Sequence, residues 1–158
     1  MMRILFFFLI MLIFFGCDSN RVYEKNHDLE ERAWISTEHP VFEFTVQDTS
    51  TAYNLYCNVR NSVTYPYSRI FINYSLQDST GTSVTKSMIS SFLFEEKTGK
   101  PFGSSGLGDV YDHQIPLLKN YTFKKSGSHA ITFDQFMRTD TLQGILAVGF
   151  RMEAAVNE

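Results

Sequence analysis

The chain has 158 residues, of which 44% are hydrophobic, 15% aromatic and 20% charged, and its formal net charge is −3. This length corresponds to a single domain. The mildly acidic balance, without a cluster of lysines and arginines, argues against nucleic-acid binding. Two cysteines are too few for a disulfide framework. Beyond the N-terminus, no apolar run approaches the roughly 18 residues of a transmembrane helix.

The first sixteen residues have the parts of an export signal. Arg3 is the positive n-region, and Ile4–Phe15 is an unbroken apolar run that is too short to span a bilayer comfortably. Gly16 and Cys17 close the run, an order that resembles a bacterial lipoprotein signal, in which the cysteine is diacylated and becomes the new N-terminus. Residues 1–16 are therefore predicted to be a lipoprotein signal peptide, and Cys17 the lipidation site.

Two other interpretations of the leader stay open. Phe14 and Phe15 stand at −3 and −2, where lipoprotein signals prefer leucine and a small residue. The leader could be an uncleaved N-terminal anchor, or an ordinary signal cut elsewhere, although no A-x-A-like site is present. Since two acyl chains hold a protein on a membrane stably and one does not, a lipidated Cys17 would fix the following domain to a membrane face.

Residues 17–33 are predicted to form a lipid-anchored tether. The segment is mostly polar and charged after the cysteine, with Val22, Tyr23, Leu29 and Ala33 as its apolar members. A flexible chain of this length spans roughly 20–25 Å on average. A packed N-terminal helix is the alternative.

From Trp34 onward the side chains alternate between apolar and polar, which predicts half-buried strands. Leu142–Met152 is apolar on both faces, which places it centrally in its sheet. Residues 34–158 are therefore predicted to form an all-β domain, an antiparallel β-sandwich of Ig-like or jelly-roll-like type, with an up-and-down barrel as the alternative. The other predicted strands are Val41–Gln47, Tyr53–Arg60, Arg69–Asp78, Thr82–Ile89, a short run through Phe92 and Phe94, Tyr121–Phe123 and His129–Phe133.

No pattern of catalytic or metal-binding residues stands out. The four histidines share no metal-ligand spacing, and neither Cys-x-x-Cys nor Gly-x-Ser-x-Gly occurs. The glycine-rich segment 99–112 lacks the following helix of a phosphate cradle, so it is interpreted as a surface loop. Cys57 lies in the apolar phase of a strand and is interpreted as a buried hydrophobe. The sequence predicts no enzyme, cofactor, metal ion or small-molecule substrate.

Two segments are candidates for contact with protein partners. Residues 60–69 carry tyrosines, an asparagine and arginines, which are common in binding surfaces, and Pro66 fixes an extended turn between two strands. Together with the glycine-rich residues 103–112 they are predicted to form an exposed loop face. The alternative is a plain strand connection whose tyrosines cover the edge of the core. The candidate residues are Arg60, Asn61, Tyr65, Pro66, Tyr67, Gly106, Gly108 and Asp109.

The order of these features resembles the gliding-motility lipoprotein family of the GldH type, found in Bacteroidetes. The resemblance covers essentially the whole exported domain. It implies a cell-envelope lipoprotein associated with the gliding machinery, with no known catalysis and with a lipidated Cys17. The features that carry it are Cys17, the polar tether, Trp34, Tyr53–Tyr56, Arg60–Tyr67, Gly106–Asp109, Gln135–Arg138 and Leu142–Gly149.

The resulting hypothesis is a lipid-anchored β-sandwich that serves as a non-enzymatic component of an envelope assembly. Its expected partners are a membrane, through the lipid anchor, and other envelope or motility proteins. The outer membrane is the preferred location, with the inner membrane as the alternative. A surface glycan-binding module is the alternative function, in which Tyr65, Tyr67 and Tyr111 would stack on a sugar ring.

Overall fold

The structure, a computed structural model, describes residues 20–106 and 108–155 and confirms the all-β sandwich. Cys17 and the predicted signal peptide lie outside these residues. A short 3-10 turn at Glu30–Arg32 accompanies the strands of the described chain. The strands are β1 (Arg21–Asp28), β2 (Ala33–Ile35), β3 (Val41–Val46), β4 (Tyr53–Ser62), β5 (Arg69–Gln77), β6 (Ser83–Phe92), β7 (Ser104–Ser105), β8 (Val110–Tyr121), β9 (Gly127–Gln135), β10 (Thr141–Gln143) and β11 (Ile145–Ala154).

The strand order identifies the sandwich as a jelly roll. One sheet has the order β1-β11-β4-β8-β7, the other has the order β3-β9-β5-β6, and β2 pairs with β10 in a separate ribbon. Without the short strands β2, β7 and β10, the eight long strands of the described chain run 1-8-3-6 and 2-7-4-5. This is the order of a jelly roll. It is neither the Ig-like order nor an up-and-down barrel.

The predicted alternation sets the inner faces of the two sheets. Every second residue of β3, β4 and β5 is buried, and these faces meet in one core. Within it the rings of Phe44 and Phe150 lie 4.9 Å apart, centroid to centroid. Cys57 is fully buried in this core, which confirms the interpretation as a small hydrophobe. Burial raises the pKa of its thiol well above the ordinary range.

The segment predicted as a tether is, in its middle part, an edge strand. Residues 21–28 form β1 and pair antiparallel with β11 along their whole length. Tyr23 packs on the core, with its ring 5.9 Å from that of Phe44 and 5.7 Å from that of Phe150. The other side chains of β1 are exposed. Because an edge strand of this kind buries few side chains, its polar composition resembles that of a linker.

β11 lies between β1 and β4, which confirms its predicted central position. The predicted strand Leu142–Met152 is divided at Gly144, because the residues before Gly144 form β10 and pair with β2. Trp34 of β2 is fully buried, and its indole N–H donates to the carbonyl oxygen of Glu38 over 2.9 Å. The β2–β10 ribbon therefore covers one end of the core.

β8 begins much earlier in the chain than the predicted strand Tyr121–Phe123. The sequence pattern indicates a strand there only from Tyr121, whereas the structure begins β8 at Val110. Pro116 breaks the pattern, since proline is unusual inside a paired strand. The register between β4 and β8 shifts beside Pro116, and such an irregularity accommodates a residue that cannot donate a hydrogen bond.

Four connections meet at one end of the sandwich, which we call the loop end. Their described residues are 29–40, 63–68, 93–106 with 108–109, and 136–144. The N–H of Ser62 donates to the carbonyl of Gly144, and the N–H of Gly144 donates to the carbonyl of Arg32, both over 2.9 Å. β1 begins at the opposite end, where Asn20 accepts a hydrogen bond from the N–H of Ala154. Within the described ranges, no helix is long and apolar enough to cross a membrane.

Candidate contact face at the loop end

The two predicted contact segments lie side by side at the loop end. β4 and β8 pair so that Arg60 is opposite Asp112. Just beyond this pairing, the N–H of Val63 donates to the carbonyl oxygen of Asp109 over 2.9 Å. The structure thus joins residues 60–67 and 108–112 into one continuous surface.

Two of the candidate residues lie beneath this surface. Tyr65 is 4% exposed, its hydroxyl donates to the carbonyl of Arg69 over 2.9 Å, and burial raises its pKa. Asn61 is fully buried, and its side-chain amide donates to the carbonyl of Ser62. Its Oδ1 has no hydrogen-bond partner within the described chain. Both side chains hold the surface from inside and are too deep to touch a partner directly.

The exposed part of the surface is apolar and aromatic. Tyr67 packs edge-on against the buried Tyr65 with ring centroids 5.8 Å apart. The buried Phe94 and the half-buried Tyr111 continue this ring cluster beneath the surface. Val63 is 46% exposed and Tyr67 44%. With Pro66 they border a shallow notch of about 410 Å³. Exposed aromatic and apolar side chains in one patch are typical of protein contact surfaces.

A polar cleft lies on the other side of the Arg60–Asp112 pair. The guanidinium of Arg60 donates through Nε and Nη2 to the two carboxylate oxygens, over 2.7 and 3.2 Å, and this bond raises the pKa of Arg60. Both side chains are almost half exposed, so the pair contributes about 0–1 kcal/mol to stability. The cleft has a volume of about 270 Å³ and is also lined by Glu24, Asn26, Asn58 and Gln114.

The glycine-rich candidates shape the surface through their backbones. Gly108 has a φ of 71°, which favours glycine, and the N–H of Gly106 donates to the carbonyl of Val110 over 2.9 Å. Asp109 is exposed, and its carbonyl is the acceptor for Val63. This agrees with the interpretation of the segment as a surface loop, into which β7 is inserted as a short pair with β8.

His113 was not a candidate in the sequence and forms part of this region. It is 7% exposed, and burial lowers its pKa. Its Nε2 has no hydrogen-bond partner among the described residues and lies against Gly103, where an added Cβ would stand 2.7 Å away. No local pattern indicates this contact, because it depends on the 93–109 connection folding back over β8.

Among the described residues there is neither a metal-ligand cluster nor a row of exposed tyrosines at this end. In the part of the chain that the structure describes, no group of three or more His, Cys, Asp or Glu side chains is placed to hold a metal ion. Of the three tyrosines considered for stacking on a sugar, Tyr65 is buried and Tyr111 is half-buried. Tyr67 is the one of these three that presents an exposed ring.

Comparisons with known proteins agree with the sequence resemblance. The family model of the GldH lipoprotein matches residues 21–152. The chain is 29% identical over 161 residues to a gliding motility lipoprotein GldH homolog of Christiangramia forsetii, covering 96% of this chain and 94% of that protein. It is 26% identical over 155 residues to the gliding motility lipoprotein GldH of Flavobacterium johnsoniae, covering 92% of each.

Among solved structures, a family GH115 4-O-methyl-α-glucuronidase with specificity for decorated arabinogalactans aligns with a TM-score of 0.49 at 16% identity. The alignment covers 89% of this chain and 18% of that enzyme.

The fold is a small jelly-roll domain, and its loop end carries the candidate contact residues on one surface. The chain belongs to the GldH lipoprotein family. It is therefore an exported, membrane-anchored lipoprotein of the cell envelope, of the gliding-motility type, and the predicted resemblance is confirmed.

Proposed function

We propose that the protein is a non-enzymatic component of the gliding-motility assembly and acts through protein contacts at its loop end. The hydrogen bond between Val63 and Asp109 carries this proposal, because it joins the two candidate segments into one surface. The exposed Val63, Pro66 and Tyr67 give that surface the composition of a protein interface. The paired charges of Arg60 and Asp112 border it and supply a polar rim.

A lipid on Cys17 orients this face away from the membrane. β1 starts at Arg21, at the end opposite the loop end. Three residues lie between Cys17 and Arg21, so the two Cα atoms can be at most about 14 Å apart. The ten residues of β4 rise roughly 33 Å towards the loop end. The domain would therefore stand close to the lipid, with its contact face a strand length further out.

The lipid anchor is tested by metabolic labelling. Cells expressing the parent protein, Cys17→Ala or Cys57→Ala are grown with a fatty-acid analogue, and the label on the purified protein is measured. We expect label on the parent and on Cys57→Ala and none on Cys17→Ala. Equal labelling of all three proteins would contradict the assignment of Cys17. Density-gradient separation of the two membranes then decides which of them holds the anchor.

The contact face is tested by crosslinked pulldown of the full chain from native membranes. Val63→Asp places a charge in the proposed interface, whereas Val22→Asp places one on a similarly exposed valine of β1, at the opposite end of the sandwich. Val63 is 46% exposed and Val22 is 50% exposed. We expect recovery of other motility and envelope proteins to fall at least tenfold with Val63→Asp and to stay unchanged with Val22→Asp. Equal recovery with both variants would argue against the loop end as the contact surface.

Glycan binding is a second candidate function, and the polar cleft favours it. Amide side chains of Asn26, Asn58 and Gln114 line this cleft beside Arg60 and Asp112, and such groups hydrogen-bond sugar hydroxyls in pairs. A glycan array probed with the parent and with Asn58→Ala separates the two functions. Strong retention that is lost with Asn58→Ala would favour the glycan module over the assembly component.

A further inference from the structure

β6 is an open edge of the four-stranded sheet. It pairs with β5 on one side, and no segment within residues 20–106 or 108–155 pairs with its other side. Its ten residues, Ser83–Phe92, are mostly exposed. Unpaired N–H and C=O groups along such an edge can form hydrogen bonds with the backbone of another strand.

The other edges of the two sheets carry features that discourage pairing, and β6 does not. β1 has four charged side chains, Arg21, Glu24, Lys25 and Asp28. β3 is shorter, with six residues, and β7 has two. β6 contains one charged side chain, that of Lys86. Charges and short length are the usual protection of edge strands, so β6 is the least protected edge of the described sandwich.

An apolar groove runs beside this edge. It has a volume of about 750 Å³ and is lined by Tyr67, Phe71, Met88, Phe136, Met137 and Arg138. Met88 of β6 is 50% exposed and Phe136 is 59% exposed. Side chains this exposed and this close together mark a surface that another molecule covers.

The charges around the groove are positive. Arg138 lines it directly, the guanidinium of Arg69 stacks over the ring of Phe92 at 3.8 Å, and Lys86 lies on the edge strand itself. Asp134 is opposite Asn73 of β5, which is in turn opposite Met88, and its carboxylate is already bonded to His39 over 2.5 Å. A segment with acidic side chains would therefore complement this surface. Pairing of β6 with β6 of a second copy would instead bring two sets of these cations onto one face.

We propose that β6 and its groove form a second docking site, which accepts an extended segment of another protein as an added strand. That segment would hydrogen-bond to the edge of β6, place apolar side chains in the groove and carry at least one Asp or Glu. In this mode of recognition, the backbone hydrogen bonds supply the affinity. The pockets that accept alternate side chains supply the specificity. Phe136–Arg138 of the groove belong to the 136–144 connection of the loop end, but of the residues that line the notch beside Val63 the groove shares Tyr67 alone.

The proposal is tested with a displayed library of random twelve-residue peptides, selected against the full chain in detergent. We expect enrichment of sequences with apolar residues at alternate positions and an acidic residue. In an added strand, the N–H groups of every second residue face β6. We therefore expect N-methylation of either the odd or the even residues of a selected peptide to weaken binding at least tenfold, and methylation of the other set to have less effect. Methylated peptides that bind as tightly as the parent peptide would overturn strand addition.

Matched variants assign the binding to the groove. Phe136→Lys should weaken binding at least tenfold, whereas Phe102→Lys, at an aromatic residue that is 61% exposed outside the groove, should change it less than twofold. Val63→Asp should leave peptide binding intact, so failure of the loop-end proposal would not affect this one. The proposal would be overturned if selection against the parent protein enriched peptides no more than selection against Phe136→Lys. It would also be overturned if sedimentation showed that the parent protein is a dimer and that Met88→Lys dissociates this dimer.

Discussion

Gly144 lies directly against the backbone of Tyr65. A Cβ on Gly144 would stand 2.7 Å from both the Cα and the N of Tyr65, and the φ of Gly144 is 82°. The N–H of Ser62 also donates to the Gly144 carbonyl. The connection that precedes β11 is thereby fixed against the connection that carries the contact face.

Replacing Gly144 with alanine should destabilise the domain markedly. The left-handed backbone costs an alanine roughly 1–2 kcal/mol, and the clash with the Tyr65 backbone adds a further cost of about 1–3 kcal/mol. We expect the free energy of unfolding, measured by urea titration, to fall by about 2–5 kcal/mol.

Gly81→Ala is the control for this substitution. The φ of Gly81 is 77°, but no atom lies within 4 Å of an added Cβ. We expect Gly81→Ala to lower the free energy of unfolding only by the backbone cost of roughly 1–2 kcal/mol. Equal losses for the two variants would show that Gly144 is not held against Tyr65.

Asp78 should make the stability depend on pH in the acid range. Its carboxylate accepts hydrogen bonds from Lys125 Nζ over 2.7 Å and from Thr80, and these bonds lower its pKa well below the usual value. A lowered pKa contributes stability above the pKa of the unfolded chain, and this stability is lost as the pH falls towards the folded value. Asp78→Asn should therefore be less stable than the parent at pH 7.

The difference between the parent and Asp78→Asn should shrink steadily as the pH is lowered from about 4, near the unfolded pKa of an Asp. Lys125→Gln distinguishes the contribution of the ion pair from that of the turn, because it removes the bond from Lys125 and leaves the bonds from Thr80 and Thr82 in place. We expect its unfolding free energy to lie between those of the other two proteins at pH 7. A difference that is independent of pH would contradict the role assigned to the Asp78 carboxylate.

His113 should produce a second, separate pH dependence. Burial lowers its pKa, so the unfolded chain takes up the proton first as the pH falls below about 6.5. The parent should lose more stability between pH 7 and pH 5 than His113→Leu, in which this titration is absent. Thermal unfolding of both proteins at a series of pH values measures the difference. Parallel pH profiles would show that His113 is not buried in the neutral form.

Cys57 should resist thiol reagents in the folded protein. It is fully buried, and its raised pKa leaves almost no thiolate at neutral pH. With Cys17 lipidated, we expect no rapid labelling by an aromatic disulfide reagent in buffer and one labelled thiol per chain in urea. Fast labelling in buffer would place Cys57 outside the core.

The strands that are buried on one face could be predicted from the sequence. β3, β4 and β5 alternate strictly, with Phe44, Cys57 and Ile72 on the inner side, and this alternation is a direct consequence of half-burial. β1 and most of β8 could not be predicted in this way. β1 is polar because it is an edge strand, and β8 contains Pro116 at a register shift.

The candidate site could be predicted in its location and less well in its details. Turn-forming and aromatic residues marked the two segments, but which tyrosine is exposed depends on packing from distant elements. Tyr65 is covered because Gly144 and Phe94 lie against it, whereas Tyr67 has no such cover. The groove beside β6 gave no local signal, because Met88 lies on β6 and Phe136 follows β9. These two strands are brought together only by β5, which pairs with both.

The most direct test of the account is photo-crosslinking in living cells at the loop end. A benzophenone amino acid is placed at Val63 in one strain and at Val22, on β1 at the opposite end, in another, with the lipidated full chain expressed at its natural level. We predict discrete crosslinked products with other envelope proteins from position 63 and none of these products from position 22. The same products from both positions, or none from position 63, would contradict a protein contact face at the loop end.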